Sequence, residues 1–150
     1  MTTGDWVLVA CVLFVVGFAM YRVGTDGRFR GTRRVRGAAS GTTPAEPVSA
    51  LLTAAGVQVP LGERATLVQF SSAFCAPCRA TRRVLGEVTD LVPGVTHVEV
   101  DAEHHLEVVR ALRVLRTPTT LILDPAGREV SRAAGLPVRD QVLAALADVS

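Results

Sequence analysis

The chain has 150 residues, 49% of them hydrophobic and 20% charged, which excludes a disordered chain and allows one small domain with additional segments. The mean hydropathy of +0.34 is high for a soluble domain, so we expect part of the chain to lie in lipid. The formal net charge of +2 is small, but the basic residues are concentrated directly after the first apolar segment.

The first apolar segment covers residues 6–21 and contains no charged residue. It is short for a bilayer span, which needs about 20 residues, but Arg22 and Val23 extend it if the arginine side chain reaches the lipid headgroups. Trp6 and Tyr21 at its two ends suit the membrane interface. We therefore predict an N-terminal transmembrane anchor within residues 1–25, in contact with the lipid bilayer.

Two other interpretations of this apolar segment stay open. A cleavable signal peptide carries positive charge before its apolar run, whereas here Asp5 precedes the run and arginines follow it. A lipoprotein signal is suggested by the four residues that end at Cys11, but most of the apolar run follows that cysteine. Without lipidation, Cys11 is a small apolar residue of the anchor.

Residues 26–47 are rich in Gly, Thr, Ala, Ser and Arg without apolar periodicity, and they predict a flexible basic linker. Arginine clusters also bind nucleic-acid phosphates, but the neighbouring apolar segment makes membrane topology the better explanation, and we predict no nucleic-acid partner. Six arginines lie between positions 22 and 47: Arg22, Arg28, Arg30, Arg33, Arg34 and Arg36. Because positive residues stay inside, they predict a single-pass protein of the cell membrane with its following domain in the cytoplasm; an extracytoplasmic domain is the alternative.

Residues 48–150 predict one domain of alternating strands and helices. A short helix over residues 48–56 ends at Gly56. Apolar runs and periodicity then predict strand 65–71, helix 76–91, strand 95–101, helix 103–113, strand 119–124, strand 128–134 and helix 138–148. The apolar faces of the first two long helices are predicted to be Ala80, Val84, Val88 and Leu91, and Leu106, Val109 and Leu112.

Two cysteines, Cys75 and Cys78, stand where the strand at 65–71 passes into the helix at 76–91. The first turn of a helix carries partial positive charge and unpaired N–H groups, which favour a thiolate over a thiol. The spacing places Cys78 on the same helical face, close enough to attack a mixed disulfide on Cys75. Pro77 lies in the first turn, where its missing N–H costs little. This arrangement predicts a redox dithiol.

Other uses of the cysteines stay open. A Cys-x-x-Cys is also half of a zinc site, with His104 and His105 as conceivable partners, but adjacent histidines lack the usual spacing of such a pair and no second Cys-x-x-Cys exists in the sequence. The two histidines are expected to be solvated surface residues, and we predict no metal site. A structural disulfide or inert buried cysteines are the remaining alternatives.

Residues 65–148 resemble a thioredoxin domain, with Phe74-Cys75-Ala76-Pro77-Cys78 at the active-site motif and Thr117-Pro118-Thr119 at the cis-proline loop. It resembles in particular the membrane-tethered thioredoxin-like reductases of bacteria. The resemblance implies an α/β thioredoxin fold, a central mixed sheet flanked by helices with a βαβαββα core, here preceded by one transmembrane helix. It also implies a cis Thr117–Pro118 bond, and substrate binding by Thr117, Pro118, Phe74 and Pro77.

The sequence departs from the thioredoxin pattern at several positions. Gln69 stands where thioredoxins have a buried aspartate that moves the proton of the second cysteine, and a glutamine does not titrate. His97 matches an accompanying lysine, either as a proton relay or, as we favour, an ordinary half-buried histidine. Ser71 and Phe74 match the tryptophans that flank the motif.

The sequence therefore predicts an enzyme, a thioredoxin-like protein disulfide reductase that needs no cofactor, with Cys75 as nucleophile and Cys78 as resolving residue. Its expected partners are disulfide-containing proteins and an upstream electron donor such as a thioredoxin reductase or a membrane thiol donor. Ala76-Pro77 is nearer to the Gly-Pro of the reducing relatives than to the Pro-His of the oxidising ones. One alternative is a module that carries zinc or copper on the same cysteines, and another is a membrane-tethered docking subunit with an inactive dithiol.

Overall fold

The computed structural model describes residues 3–25, 27–31 and 46–149. Within these residues it has five helices and five strands. In chain order these are α1 (Thr3–Thr25), β1 (Arg30–Gly31), α2 (Val48–Ala54), β2 (Ala65–Ser71), α3 (Ala76–Leu91), β3 (Val95–Asp101), α4 (Leu106–Ala111), β4 (Thr119–Leu123), β5 (Glu129–Ala134) and α5 (Arg139–Ala147). From β2 onward the order is βαβαββα, as predicted.

The strands form one mixed sheet in the order β1-β5-β4-β2-β3. Strand β2 lies at the centre of the four longer strands, parallel to β3 and antiparallel to β4, and β5 pairs antiparallel with β4. All seven residues of β2 are buried, which explains why apolar and polar residues do not alternate regularly along it, since a strand covered on both faces has no solvent-facing side.

Helices cover both faces of this sheet. On the face that we call the α2/α4 face, Val68 and Phe70 of β2 pack with Leu52 of α2 and Val108 of α4. On the opposite, α3/α5 face, β2 contributes Ala65 and Leu67, which lie in one cluster with Leu85 and Val88 of α3 and Val142 and Leu146 of α5. Alternate residues of β2 thus supply two separate cores.

The buried stripe of α3 differs from the predicted one. Its buried residues are Cys78, Thr81, Leu85 and Val88, whereas Leu91 is 60% exposed. The stripe is shifted by about a quarter of a turn, and the polar residue Thr81 faces the sheet. In α4, Leu106 is likewise half exposed, and the helix is shorter than predicted because it starts only at Leu106.

Helix α1 is long and apolar enough to cross a membrane, over the window from Asp5 to Arg22, and none of that window is buried. A signal sequence near an N-terminus has the same properties. The segment after α1 differs from the predicted linker: Arg30 and Gly31 pair with Arg132 and Ser131 of β5. This two-residue strand could not be predicted from the sequence, because it shows no apolar alternation and forms only by pairing with β5. The other linker residues, 26 and 32–45, lie outside the described residues.

Candidate functional site

The Cys75–Cys78 pair lies where β2 passes into α3, as its position in the sequence predicts. The two sulfur atoms form a disulfide with an S–S distance of 1.99 Å. Cys75 is the N-cap of α3, and its Sγ accepts a hydrogen bond from the backbone N–H of Cys78, at 3.1 Å. The sulfur thus takes the place of the oxygen that caps most helices, next to the positive end of the helix dipole.

The two sulfurs differ in exposure. Cys75 is half-buried, whereas Cys78 is 3% exposed and faces the sheet. Ala76 and Pro77 between them are exposed, and Phe74 is 99% exposed. An incoming group therefore meets Cys75 first, and Cys78 lies behind it.

The loop that contains Thr117 and Pro118 is joined to the cysteine loop. The Thr117–Pro118 peptide bond is cis, as predicted. The hydroxyls of Thr117 and Ser72 lie 3.1 Å apart, within hydrogen-bond distance, and the carbonyl of Ser72 accepts from the N–H of Cys75, at 3.3 Å. On its other side the loop is held by the N–H of Gly135, which donates to the Pro118 carbonyl at 2.7 Å. The structure thus places the two predicted motifs side by side.

A buried amide lies behind Cys78. The Nε2 atom of Gln69 donates to the Cys78 carbonyl at 2.9 Å and to Ser71 Oγ at 2.7 Å, so the side chain fixes the first turn of α3 to the end of β2. Its Oε1 atom, like Oγ1 of Thr81 and of Thr120, has no hydrogen-bond partner among the described residues. All three residues are fully buried. This polar cluster contains no group that titrates near neutral pH.

An open groove of about 470 Å³ runs beside the disulfide. Arg82 of α3 pairs with Glu99 of β3 along it, and the side chain of Arg82 is 59% exposed. Burial acts to raise the pKa of Glu99, but hydrogen bonds from Arg82 and Ser71 outweigh it and hold that pKa below its ordinary value. Sequence reasoning missed this pair. The parallel register of β2 and β3 places Glu99 beside Gln69 and so towards α3, but the sequence of one strand does not reveal its register with another.

The histidines lie outside the groove lining. His97 is half-buried on β3 beside Leu67, and its Nε2 has no partner in the described part of the chain. Burial lowers the pKa of His97, more than the nearby Glu99 carboxylate raises it. His104 is an exposed residue whose Nδ1 lies 2.8 Å from Oδ2 of Asp101, within hydrogen-bond distance. Among the described residues no group of three or more His, Cys, Asp or Glu is arranged to hold a metal ion.

The pattern of the thioredoxin-like domain family matches residues 52–150. The chain is 34% identical over 89 residues to thioredoxin of Alicyclobacillus acidocaldarius, an alignment that covers 59% of this chain and 84% of the relative. Thioredoxin of Mycobacterium tuberculosis is 33% identical over 84 residues, with 55% and 72% covered. Among solved structures, Fasciola hepatica thioredoxin has a TM-score of 0.54 at 20% identity, covering 69% of this chain and 91% of that one.

The family match and the site together define a thioredoxin-like redox protein with a Cys75–Cys78 pair that forms a disulfide. The chain belongs to the thioredoxin-like domain family, and its thioredoxin relatives support a general role as an oxidoreductase.

Proposed function

We propose that the chain is a membrane-anchored thiol-disulfide oxidoreductase that reduces disulfides of other proteins. The observation that carries this proposal is the pairing of a half-exposed Cys75 with a buried Cys78 at the N-terminus of α3. One sulfur is open to a partner, and the second is held where it completes the exchange. A structural disulfide would not need this difference in exposure, nor an exposed Phe74 beside it.

Reduction of a target proceeds in two exchanges. The Cys75 thiolate attacks one sulfur of the target disulfide, so that a mixed disulfide forms and the other target sulfur leaves as a thiolate. Cys78, deprotonated, then attacks Cys75 Sγ and releases the second target thiol. The target gains two electrons and two protons, and the dithiol becomes the Cys75–Cys78 disulfide. A dithiol donor, a thioredoxin reductase or a membrane thiol donor, must supply two electrons for the next cycle.

We assign substrate binding to Phe74, Pro77, Thr117 and Pro118. Phe74 and Pro77 offer exposed apolar surface next to Cys75. The Thr117–Pro118 loop is linked to the cysteine loop through Ser72, and its backbone suits pairing with an extended substrate segment. Together they line the approach to the one sulfur that a partner reaches.

We further propose that α1 anchors the protein in the membrane, with the basic residues after it holding the domain on the cytoplasmic side. The proposed organisation is an anchor over 1–25, a linker over 26–47 that includes β1, and the redox domain over 48–150. Fusions after Ser150 test the orientation, one with a fluorescent protein that matures only in the cytoplasm and one with a phosphatase active only outside. Phosphatase activity without fluorescence would reverse the assignment.

The chemistry is tested by trapping. In a Cys11→Ser background, which removes the third thiol, Cys78→Ser is expected to accumulate mixed disulfides between Cys75 and its targets, because the second exchange is blocked. Cys75→Ser is the matched control and should trap none. Reductant-sensitive adducts, detected by gel shift and identified by mass spectrometry, are the readout. If Cys75 reacts with small disulfides but Cys78→Ser traps no protein, the reductase proposal is wrong.

A further inference from the structure

The segment that follows α1 is held against the same part of the domain as the Thr117–Pro118 loop. Gly27 donates its N–H to the Ala134 carbonyl at 2.9 Å, and Gly135 donates to the Pro118 carbonyl at 2.7 Å. The Ala134 carbonyl and the Gly135 N–H belong to one peptide group, so Gly27 N and Pro118 O lie within about 8 Å of each other. One peptide group therefore separates the juxtamembrane segment from the proposed substrate-binding loop.

The connection between α1 and this attachment is short. Helix α1 ends at Thr25, and two residues of chain span at most about 7 Å. At 1.5 Å per residue, the 23 residues of α1 measure about 34 Å, close to the thickness of the hydrocarbon core, so in the described part of the chain α1 leaves little length to lift the domain from the bilayer. Residues 32–45 follow β1 in the chain and do not lengthen this connection.

The corner of the domain beside Gly27 has a surface suited to lipid headgroups. A Cβ on Gly27 would lie 1.9 Å from the Leu136 carbonyl and 3.0 Å from Pro137 Cα, so the two segments are in direct contact. Leu136 and Val138 on either side of Pro137 are 42% and 59% exposed, and Arg28 is exposed next to Gly27. Exposed aliphatic side chains beside an arginine are the composition of an interfacial contact.

We propose that β1 fixes the dithiol close to the bilayer and that the preferred substrates are disulfides in the membrane-proximal parts of membrane proteins. This rests on the proposed reductase function and on α1 as its anchor. A domain on a flexible tether would reach disulfides at many heights, whereas one attached through Gly27 reaches those close to the membrane surface. Each target disulfide reduced to two thiols converts one Cys75/Cys78 dithiol to the disulfide.

A molecular ruler tests this substrate class. The full chain, reduced in advance, is placed in liposomes together with a single-span model protein that carries one disulfide above a rigid helical spacer. Spacers of increasing length raise the disulfide by about 1.5 Å per residue, up to about 40 Å. Single-turnover rates are expected to fall at least tenfold from the shortest to the longest spacer. Equal rates at all heights would overturn the inference.

Three variants separate attachment by β1 from other causes. In Gly27→Ala, the added Cβ conflicts with the Leu136 carbonyl and the residue has φ of +76°, so β1 should detach and the dependence on height should flatten. Gly86→Ala adds the same methyl group in open space on α3 and should keep the wild-type profile. A flexible Gly-Ser insertion after Thr25, which leaves β1 intact, should also flatten it. A Gly27→Ala profile identical to the wild type would contradict the role of β1.

A small soluble disulfide peptide distinguishes the two proposals. It should be reduced at the same rate by wild type, Gly27→Ala and Gly86→Ala, because none of these changes touches the dithiol. If the peptide is reduced but the ruler shows no dependence on height, only the membrane-proximal inference fails. If neither the peptide nor any ruler substrate is reduced, the reductase function itself is wrong, and the inference fails with it.

Discussion

The two faces of the central sheet are built differently. On the α2/α4 face the buried cluster is aliphatic and aromatic, with Phe70 at the dithiol end, and the hydroxyls of the buried Thr66 and Thr119 each have a hydrogen-bond partner. On the α3/α5 face the apolar cluster stops short of that end, and Gln69, Thr81 and Thr120 are buried there instead, each with an oxygen that lacks a partner among the described residues. The α2/α4 face therefore stabilises the domain through apolar packing. The α3/α5 face has less apolar packing near the dithiol, because polar groups are buried behind Cys78.

The largest expected effect is on the apolar face. Phe70→Ala removes a fully buried ring and should lower the free energy of unfolding by about 3–5 kcal/mol. Because Phe70 points away from α3, the reactivity of Cys75 in the folded fraction should stay unchanged. Urea unfolding of the full chain in detergent, followed by thiol labelling at low urea, measures both. A loss below about 1 kcal/mol would mean that this face is not the main core.

A smaller loss is expected on the polar face. Gln69→Leu removes the amide donor of the Cys78 carbonyl and of Ser71 Oγ from a fully buried site and should cost about 1–3 kcal/mol. Thr120→Val is the matched control: it removes a hydroxyl that has no partner among the described residues, so it should be neutral or stabilising. Unfolding of both variants is measured as for Phe70→Ala. Equal losses for the two would contradict the distinct role of the Gln69 amide.

The Arg82–Glu99 pair at the rim of the polar face should contribute less, and its contribution should depend on pH. The pKa of Glu99 is lowered in the folded state from its ordinary 4.5, so the pair stabilises the protein above that pH and the stability is lost as pH falls through the lowered pKa. Since the Arg82 side chain is largely exposed, Arg82→Ala should cost only about 0.2–1 kcal/mol at neutral pH. The difference from wild type should shrink and then vanish as the pH falls through the lowered pKa of Glu99. An undiminished difference in acid would argue against this pair.

The smallest effect is expected at Leu91 of α3. It lies at the end of the helix, 60% exposed, so Leu91→Ala should change the free energy of unfolding by less than about 0.5 kcal/mol. Leu85→Ala on the same helix, fully buried, should cost about 2–5 kcal/mol. Comparable losses of unfolding free energy at both positions would mean that Leu91 is part of the buried face of α3, as periodicity predicts.

This contrast shows what the sequence reveals and what it does not. The mostly apolar sequence of β2 and the cysteines that follow it were sufficient to predict the strand, the helix and the position of the cysteine pair, because both signals are local. The orientation of α3 was mispredicted because the polar residue Thr81 faces the core, which apolar periodicity does not indicate. Pairs that join distant segments, such as Arg82 with Glu99 or Arg30 with Arg132, depend on register and leave no local pattern.

Strand β1 also determines how the domain behaves once it is separated from α1. Without β1, strand β5 becomes an edge whose free N–H and C=O groups pair readily with another chain. A truncated protein that begins after residue 31 should therefore self-associate through β5 at high concentration. One that begins at Gly27 keeps the edge covered and is the better starting point for soluble preparations of the domain.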